Sequence, residues 1–263
     1  MKIRVISALV ALAIIVPLIC LGGYPFAIAV GIISVIAYKE VLDLKKSHKE
    51  IPNAVKVLGV ISVVYLVLGN YGINSLAFAM SYSRILLPLM LLLIPTIFYK
   101  KNEYTTKDAF LLLGFTYFIG LIFNLLIILR NINVYLLLYL LSISVFTDTF
   151  AYLIGCLIGK HKMCPKISPK KSWEGAIAGL IGGTAIATII YSNLVGPFTV
   201  GLVIMTIVLS IGGQIGDLFF SKIKRENDIK DFSNIMPGHG GILDRLDSIS
   251  FVIILYLIYI WFI

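Results

Sequence analysis

Residues 221–247 combine charges of both signs within a chain that is otherwise strongly apolar. This segment reads SKIKRENDIKDFSNIMPGHGGILDRLD and holds ten charged residues in 27 positions. Carboxylates can bind a divalent cation, and neighbouring Lys and Arg side chains can bind phosphate. These are the components of a site that transfers a phosphoryl or nucleotidyl group. The cations are Lys222, Lys224, Arg225, Lys230 and Arg245, and the acids are Glu226, Asp228, Asp231, Asp244 and Asp247.

A second segment, SPKKSWEG at 168–175, has the residue types of an anion site. Ser168 followed by Pro169 suits a helix start, and both Ser168 and Ser172 are candidate caps. Lys170 and Lys171, together with the free N–H groups of a helix start, would bind phosphate. The alternative is that these lysines belong to the ordinary cationic charge of a cytoplasmic loop, and the sequence leaves both interpretations open.

Two further carboxylates, Asp148 and Asp217, lie within apolar runs. An ionised Asp at membrane depth costs about 3 kcal/mol or more unless it is paired or binds a metal. A functional role is therefore favoured for Asp148 over a hydrogen-bonded structural one. Asp217 lies about one turn from the inner interface, where it could also pair with Lys222.

The only histidine in a constrained setting is His239, within PGHGG at 237–241. The glycines permit positive φ and the close approach of a ligand. A functional His239 is favoured over a turn with an incidental histidine. His48 and His161 lie in basic loops and are expected to be solvated.

The elements that position these residues are predicted to be membrane-spanning helices. The chain has 263 residues, of which 59% are hydrophobic and 13% charged, and its mean hydropathy is +1.00. This balance excludes a soluble domain and predicts an all-α, polytopic transmembrane bundle. Because the first apolar run has no convincing small-residue cleavage site and further spans follow, the first helix is expected to be uncleaved. About nine apolar runs are long enough to span, at 5–21, 25–42, 54–69, 84–99, 109–129, 134–158, 174–192, 198–220 and 249–263.

Charge supports this arrangement. With the N-terminus in the cytoplasm, inside segments hold twenty Lys and Arg residues and outside segments hold two, Arg84 and Arg130, as expected when cytoplasmic loops carry the positive charge. The net charge of +9 therefore reflects topology and attraction to anionic lipid, and no nucleic-acid partner is expected. We predict a single integral membrane domain over 1–263. Residues 1–130 would be mainly scaffold and 131–263 the catalytic core, with cytoplasmic loops at 159–173 and 221–248.

The segment at 221–247 closely resembles the signature of the CDP-diacylglycerol synthases, or phosphatidate cytidylyltransferases. SPKKSWEG and the Gly-Asp-Leu at 216–218 also resemble that family. The resemblance implies that phosphatidate and CTP are converted to CDP-diacylglycerol and pyrophosphate. It further implies a metal centre held by Asp217 and Asp244, with Mg²⁺ as the ion. Asp148, Asp231 and Asp247 are then candidates for a second metal or for the groups around the first.

The same resemblance assigns the remaining charged residues to the substrates. Since the phosphatidate phosphate is already ionised at neutral pH, no general base is needed, and metal ions and cations would stabilise the transition state. The predicted catalytic residues are Lys171, Lys224, Arg225, Lys230, His239 and Arg245. The predicted substrate-binding residues are Ser168, Lys170, Lys171, Ser221, Lys224 and Arg225.

CTP, phosphatidate and the lipid bilayer are the expected partners, and a homodimer is compatible with the sequence. The expected location is the cell membrane, with the active-site loops on the cytoplasmic side. A CTP-dependent lipid kinase, or a transferase for another phospholipid acceptor, would use the same chemistry and differ in its products. A transporter or cation channel using Asp148 and Asp217 is less favoured, because conduction does not require the HGG and DRLD sequences.

Overall fold

The computed structural model describes residues 2–44, 51–69, 82–101, 103–238 and 240–262. Within these ranges helices predominate, which confirms the all-α prediction, and two short strands form one antiparallel hairpin. In chain order the elements are α1 (Lys2–Leu21), α2 (Gly23–Leu42), α3 (Asn53–Leu68), α4 (Tyr82–Leu93), α5 (Pro95–Phe98), α6 (Thr106–Ile132), α7 (Val134–Ile158), β1 (Lys162–Cys164), β2 (Ser168–Ser172), α8 (Trp173–Leu194), α9 (Val200–Glu226) and α10 (Leu243–Phe262).

Six of the described helices are long and apolar enough to cross a membrane, namely α2, α6, α7, α8, α9 and α10. Three shorter apolar stretches, at Leu9–Leu21, Asn53–Leu68 and Arg84–Phe98, coincide with the other three predicted spans. Many large apolar side chains on the long helices face outward, including Leu157 at 78% exposure and Ile181 at 65%. Such outward-facing apolar surface suits lipid, and the chain is a multi-pass helical membrane protein.

The chain divides into two compact units. The first comprises Met1–Ile132 and Asp231–Leu243, and the second comprises Asn133–Lys230 and Asp244–Ile263. The short segment 231–243, which contains the PGHGG sequence, thus belongs to the same unit as the N-terminal helices. That these units together make one membrane domain stays a prediction.

In the first unit, a buried apolar cluster joins α3, α4 and α6 through Val55, Leu92 and Leu112. Tyr104 precedes α6 and donates a hydrogen bond from its hydroxyl to the Leu92 carbonyl oxygen at 2.9 Å. Burial raises the pKa of the Tyr104 phenol far above its usual range, so the hydroxyl stays a donor. This contact attaches the start of α6 to the end of α4.

In the second unit, α7 contacts α8 and α9 through small and hydroxyl-bearing residues. The Tyr139 and Thr206 hydroxyls lie 2.7 Å apart, and those of Thr147 and Ser210 lie 2.8 Å apart. Polar pairs of this kind satisfy hydroxyl groups that would otherwise face an apolar interior. They hold α7 and α9 together.

The structure differs from the sequence prediction at both functional loops. The segment predicted as a loop at 221–248 is non-helical only at 227–242, since α9 continues through Glu226 and α10 begins at Leu243. The helix start predicted at Ser168 is wrong. Ser168 begins β2, and Ser172 caps α8 by accepting a hydrogen bond from the Gly175 N–H at 3.2 Å. The chain stays extended through Lys170 and Lys171 because it pairs with β1.

Candidate functional site

Glycines bring the helices of the second unit close together around Asp148 and Asp217. A Cβ atom on Gly179 would lie 2.6 Å from the Thr147 carbonyl oxygen, and one on Gly216 would lie 2.6 Å from the Asp247 carbonyl oxygen. Only glycine permits backbones to approach this closely. The α7–α8 contact therefore lies beside Asp148, and the α9–α10 contact lies beside Asp217.

Three carboxylates from three different helices share one neighbourhood as a result. Asp148 on α7 interacts electrostatically with Asp217 on α9, and Asp247 on α10 interacts with both. We call these three residues the carboxylate cluster. Asp148 is exposed, whereas Asp217 and Asp247 are half-buried. Ionised carboxylates in one neighbourhood repel one another, which favours the binding of cations.

Lys171 supplies one cation to this cluster. Its Nζ lies 2.5 Å from Asp217 Oδ2, and both side chains are about a quarter exposed, at 27% and 25%. Ser221 donates a hydrogen bond to the other carboxylate oxygen, Oδ1, at 3.3 Å. Asp217 is thus held by β2 on one side and by its own helix on the other. The alternative partner considered from sequence, Lys222, instead pairs with Glu226.

A second ion pair is more deeply buried. Lys224 Nζ lies 2.7 Å from Asp244 Oδ1, and the side chains are only 10% and 3% exposed. Lys224 also interacts electrostatically with Asp247 of the carboxylate cluster. Residues from α9 and α10 that lie 20 positions apart in sequence are therefore connected by a charge-assisted hydrogen bond.

Arg225 attaches the hairpin segment to the end of α9. Its Nε donates to the Ile167 carbonyl oxygen at 3.3 Å, and its Nη1 donates to the Ile229 carbonyl oxygen at 3.0 Å. The guanidinium is exposed and retains further N–H groups that can contact an anion. The predicted substrate residue Ser168 begins β2, next to Ile167.

The remaining predicted residues lie at the surface or in the other unit. Lys170, Lys230 and Arg245 are exposed, and Arg245 interacts electrostatically with Asp148. Asp231 is exposed and belongs to the first unit. His239 lies outside the described residues. The structure thus brings together most of the predicted site residues of the second unit, but not all five predicted metal ligands.

The donor chemistry of the carboxylate cluster fits Mg²⁺. Among the described residues, no three Asp, Glu, His or Cys side chains converge closely enough to hold a metal by themselves. Mg²⁺ does not require such a cage, because it is usually held by one or two carboxylates, substrate phosphates and water. Asp217 with Asp148 or Asp247 would supply that number of hard oxygen donors. The Lys171 ammonium beside Asp217 Oδ2 is a cation that contacts this cluster.

Two carboxylates have structural contacts that the sequence did not indicate, although Glu174 itself was a candidate to favour the dipole of the helix, hold a metal or orient a Lys. Glu174 lies 2.5 Å from His161 Nδ1 and accepts the His161 backbone N–H at 3.1 Å, so His161 is paired as well as exposed. Glu40, near the end of α2, accepts hydrogen bonds from the segment 231–243. Neither contact could be read from a short stretch of sequence, and the available signal at Glu40 is only that a carboxylate lies within the apolar helix α2.

Comparison with known proteins gives one consistent result. The family model described as the cytidylyltransferase family matches residues 2–263. Proteins named phosphatidate cytidylyltransferase are similar along almost the whole chain. The protein of Staphylococcus haemolyticus is 34% identical over 262 residues, covering 96% of each chain, and that of Staphylococcus saprophyticus is 33% identical over 257 residues with the same coverage. The protein of Bacillus subtilis is 34% identical over 258 residues, covering 96% of this chain and 94% of its own.

Proposed function

Because this chain belongs to the cytidylyltransferase family, we propose that it converts phosphatidate and CTP to CDP-diacylglycerol and pyrophosphate. The observation that carries this proposal is the similarity to phosphatidate cytidylyltransferases over 96% of the chain, which includes both compact units. The carboxylate cluster and its neighbouring cations supply the groups that this reaction needs.

The reaction joins two anions. A phosphate oxygen of phosphatidate forms a bond to the α-phosphorus of CTP, and the bond from that phosphorus to the bridging oxygen of the β-phosphate breaks. Pyrophosphate leaves with the electron pair. The attacking phosphate is ionised at neutral pH, so the protein's task is to hold the two anions together and to stabilise the departing charge.

The cations of the second unit suit this task. Lys171, Arg225, Lys230 and Arg245 are exposed or half-buried, so a triphosphate or lipid headgroup can reach them. Lys224 is buried against Asp244 and would act by holding α9 and α10 in register. Lys170 and Ser168 on β2, and Ser221 beside Asp217, are proposed to line the substrate. His239 keeps its predicted role near the reacting groups as a proposal from sequence.

Mg²⁺ is the proposed cofactor, with Asp217 as its main protein ligand and Asp148 and Asp247 beside it. A bound Mg²⁺ would neutralise part of the triphosphate charge and the charge that develops on pyrophosphate. Asp217 would exchange its Lys171 partner for the metal, which leaves Lys171 free to contact a phosphate. Asp244 could contribute only by exchanging its Lys224 partner, and the assignment of Asp231 to a metal stays a prediction.

A product assay tests the proposed function. Purified protein in phosphatidate-containing vesicles, given CTP and Mg²⁺, is expected to form CDP-diacylglycerol and pyrophosphate in equal amounts. A CTP-dependent lipid kinase would release CDP and no pyrophosphate. An ether-linked acceptor supplied in competition tests acceptor choice. Absence of pyrophosphate release with an otherwise folded protein would contradict the proposal.

The proposed topology places nine spans in the cell membrane, with the N-terminus and the segments 159–173 and 221–248 in the cytoplasm. Its support is the distribution of Lys and Arg, with twenty on the cytoplasmic side and two on the other, because cytoplasmic loops carry an excess of these residues. A homodimer is proposed only as an arrangement compatible with this layout. CTP is made in the cytoplasm, so a cytoplasmic site gives the enzyme direct access to its nucleotide.

Cysteine labelling tests which side of the membrane each loop faces. In a chain whose native cysteines are replaced, Lys162→Cys and Asp228→Cys are expected to react with an impermeant maleimide only after the cells are opened. Ile132→Cys, at the predicted outer end of α6, is the matched control and is expected to react in intact cells. Labelling of positions 162 and 228 from outside would invert the topology and place the site away from CTP.

A further inference from the structure

The Glu40 side chain, which belongs to α2, accepts hydrogen bonds from backbone N–H groups at the N-terminal end of α10. Its Oε1 accepts a hydrogen bond from the Ile242 backbone N–H at 2.8 Å, and its Oε2 accepts one from the Leu243 N–H at 2.9 Å. Ser233 donates a third bond to Oε1 at 2.6 Å. The side chain is contributed by α2, some 200 residues earlier in the chain, and Glu40 is only 2% exposed. A distant carboxylate thus performs the role that a local Ser, Thr or Asp usually performs at a helix start.

The glycines of PGHGG make this contact possible. Gly238 and Gly240 have φ values of 79° and 81°, in the region that favours glycine. A Cβ on Gly241 would lie 2.3 Å from Glu40 Oε1, so only glycine leaves space for the carboxylate. On the other side of the segment, Ser7 of α1 donates a hydrogen bond to the Pro237 carbonyl oxygen at 3.1 Å. The segment 231–243 is therefore shaped to receive Glu40.

Electrostatics favours a carboxylate at this place. The first N–H groups of a helix lack partners within it, and the N-terminal end carries a partial positive charge. The three donors described here, two backbone N–H groups and the Ser233 hydroxyl, are neutral, and with the helix end they stabilise the buried negative charge. A carboxamide at the same position would offer one acceptor oxygen instead of two and would direct an NH₂ group at a backbone N–H.

We propose that Glu40 is a positioning residue: by holding the Ile242 and Leu243 N–H groups it keeps the N-terminal end of α10 helical, and this end continues along the chain into Asp244 and Asp247. The two aspartates lie three positions apart on α10 and therefore on one face of the helix. Unwinding the first turn would release Asp244 from that face. The proposal rests on the proposed function, and it assigns Glu40 no contact with substrate.

Kinetics of Glu40→Gln provide the first test. We expect kcat to fall about tenfold, which corresponds to about 1.4 kcal/mol, with the KM for CTP changed less than twofold. Glu103→Gln makes the same chemical change on an exposed turn before α6 and is expected to leave kcat unchanged. A normal kcat in Glu40→Gln, whatever its thermal stability, would overturn the positioning role.

Amide hydrogen exchange provides a second test that does not depend on activity. The N–H groups of Ile242 and Leu243 are expected to exchange at least tenfold faster in Glu40→Gln than in the wild type. Unchanged exchange would overturn the proposal even if kcat fell. If the wild type itself made no CDP-diacylglycerol, the proposed function would fail, while exchange would still decide whether Glu40 holds the helix start.

Two further variants keep the inference testable if Glu40→Gln does not fold. Glu40→Asp retains the charge on a shorter side chain and is expected to lose less kcat than Glu40→Gln. Gly241→Ala places a methyl group where the Glu40 carboxylate lies. If both substitutions act through this one contact, the double variant Glu40→Asp with Gly241→Ala should lose less kcat than the product of the two single losses. Independent, multiplicative losses would show that Gly241 and Glu40 do not act through one contact, which would overturn the proposal.

Discussion

Replacing Asp217 with Asn is expected to lower kcat by about 100-fold or more, a magnitude typical of losing a transition-state electrostatic contact. The substitution keeps the shape of the side chain but removes one negative charge from the carboxylate cluster. Lys171 thereby loses its ionic partner. Stability should change little. The Lys171–Asp217 pair is about a quarter exposed, and pairs with that degree of solvent access contribute at most about 1 kcal/mol.

The measurement compares CTP turnover with thermal unfolding in detergent, over a range of Mg²⁺ concentrations. A metal ligand should raise the Mg²⁺ concentration needed for half-maximal rate. Glu226→Gln is the matched control, because it removes a carboxylate from the same helix where it pairs with the exposed Lys222. Near wild-type turnover in Asp217→Asn, with unchanged Mg²⁺ dependence, would remove Asp217 from the proposed metal site.

The second large effect is expected at Lys224 and Asp244. Either Asp244→Leu or Lys224→Met removes one member of this buried ion pair, and breaking a buried pair in this way typically costs about 3–5 kcal/mol. For a chain of this size that loss lowers the Tm by roughly 10 °C. Activity should fall as well, since Lys224 also interacts with Asp247.

The double variant Lys224→Met with Asp244→Leu separates stability from function. Replacing both charges by apolar groups is often neutral for stability, so the Tm should return to near the wild-type value while turnover stays low. The coupling between the two substitutions is the quantity measured. If each single variant were as stable as the wild type, the buried ion pair would not be the interaction that joins α9 to α10.

The membrane fold and the chemistry of the site could be predicted from sequence because both are local patterns. Long apolar runs with cationic flanks indicate helices that span, and the motifs at 168–175 and 221–247 gather the required residue types. The positions of the helix ends were harder to predict from sequence. Charged residues such as Lys224 and Asp244 suggested a loop, but inside the protein each satisfies the other, so α9 and α10 extend through them.

The grouping of the acidic residues could not be derived in the same way. The family resemblance assigned Asp217 and Asp244 to the metal centre and left Asp148, Asp231 and Asp247 for a second metal or the surrounding groups. The structure instead groups Asp148, Asp217 and Asp247 and pairs Asp244 with Lys224. Which carboxylates meet depends on where glycines permit helices to touch, as at Gly179 and Gly216. The contact of Glu40 with α10 depends on a fold that no short window of sequence contains.

That contact also has a consequence for biosynthesis. Ile242 follows its partner on α2 by 202 positions, and at roughly 5–20 residues per second the ribosome needs roughly 10–40 s to make the intervening chain. Throughout that interval the Glu40 carboxylate lacks its backbone donors from Ile242 and Leu243. The N-terminal helices therefore complete their packing only when translation is almost finished. A chain released before residue 242 would therefore carry the Glu40 side chain of α2 without either of these backbone donors.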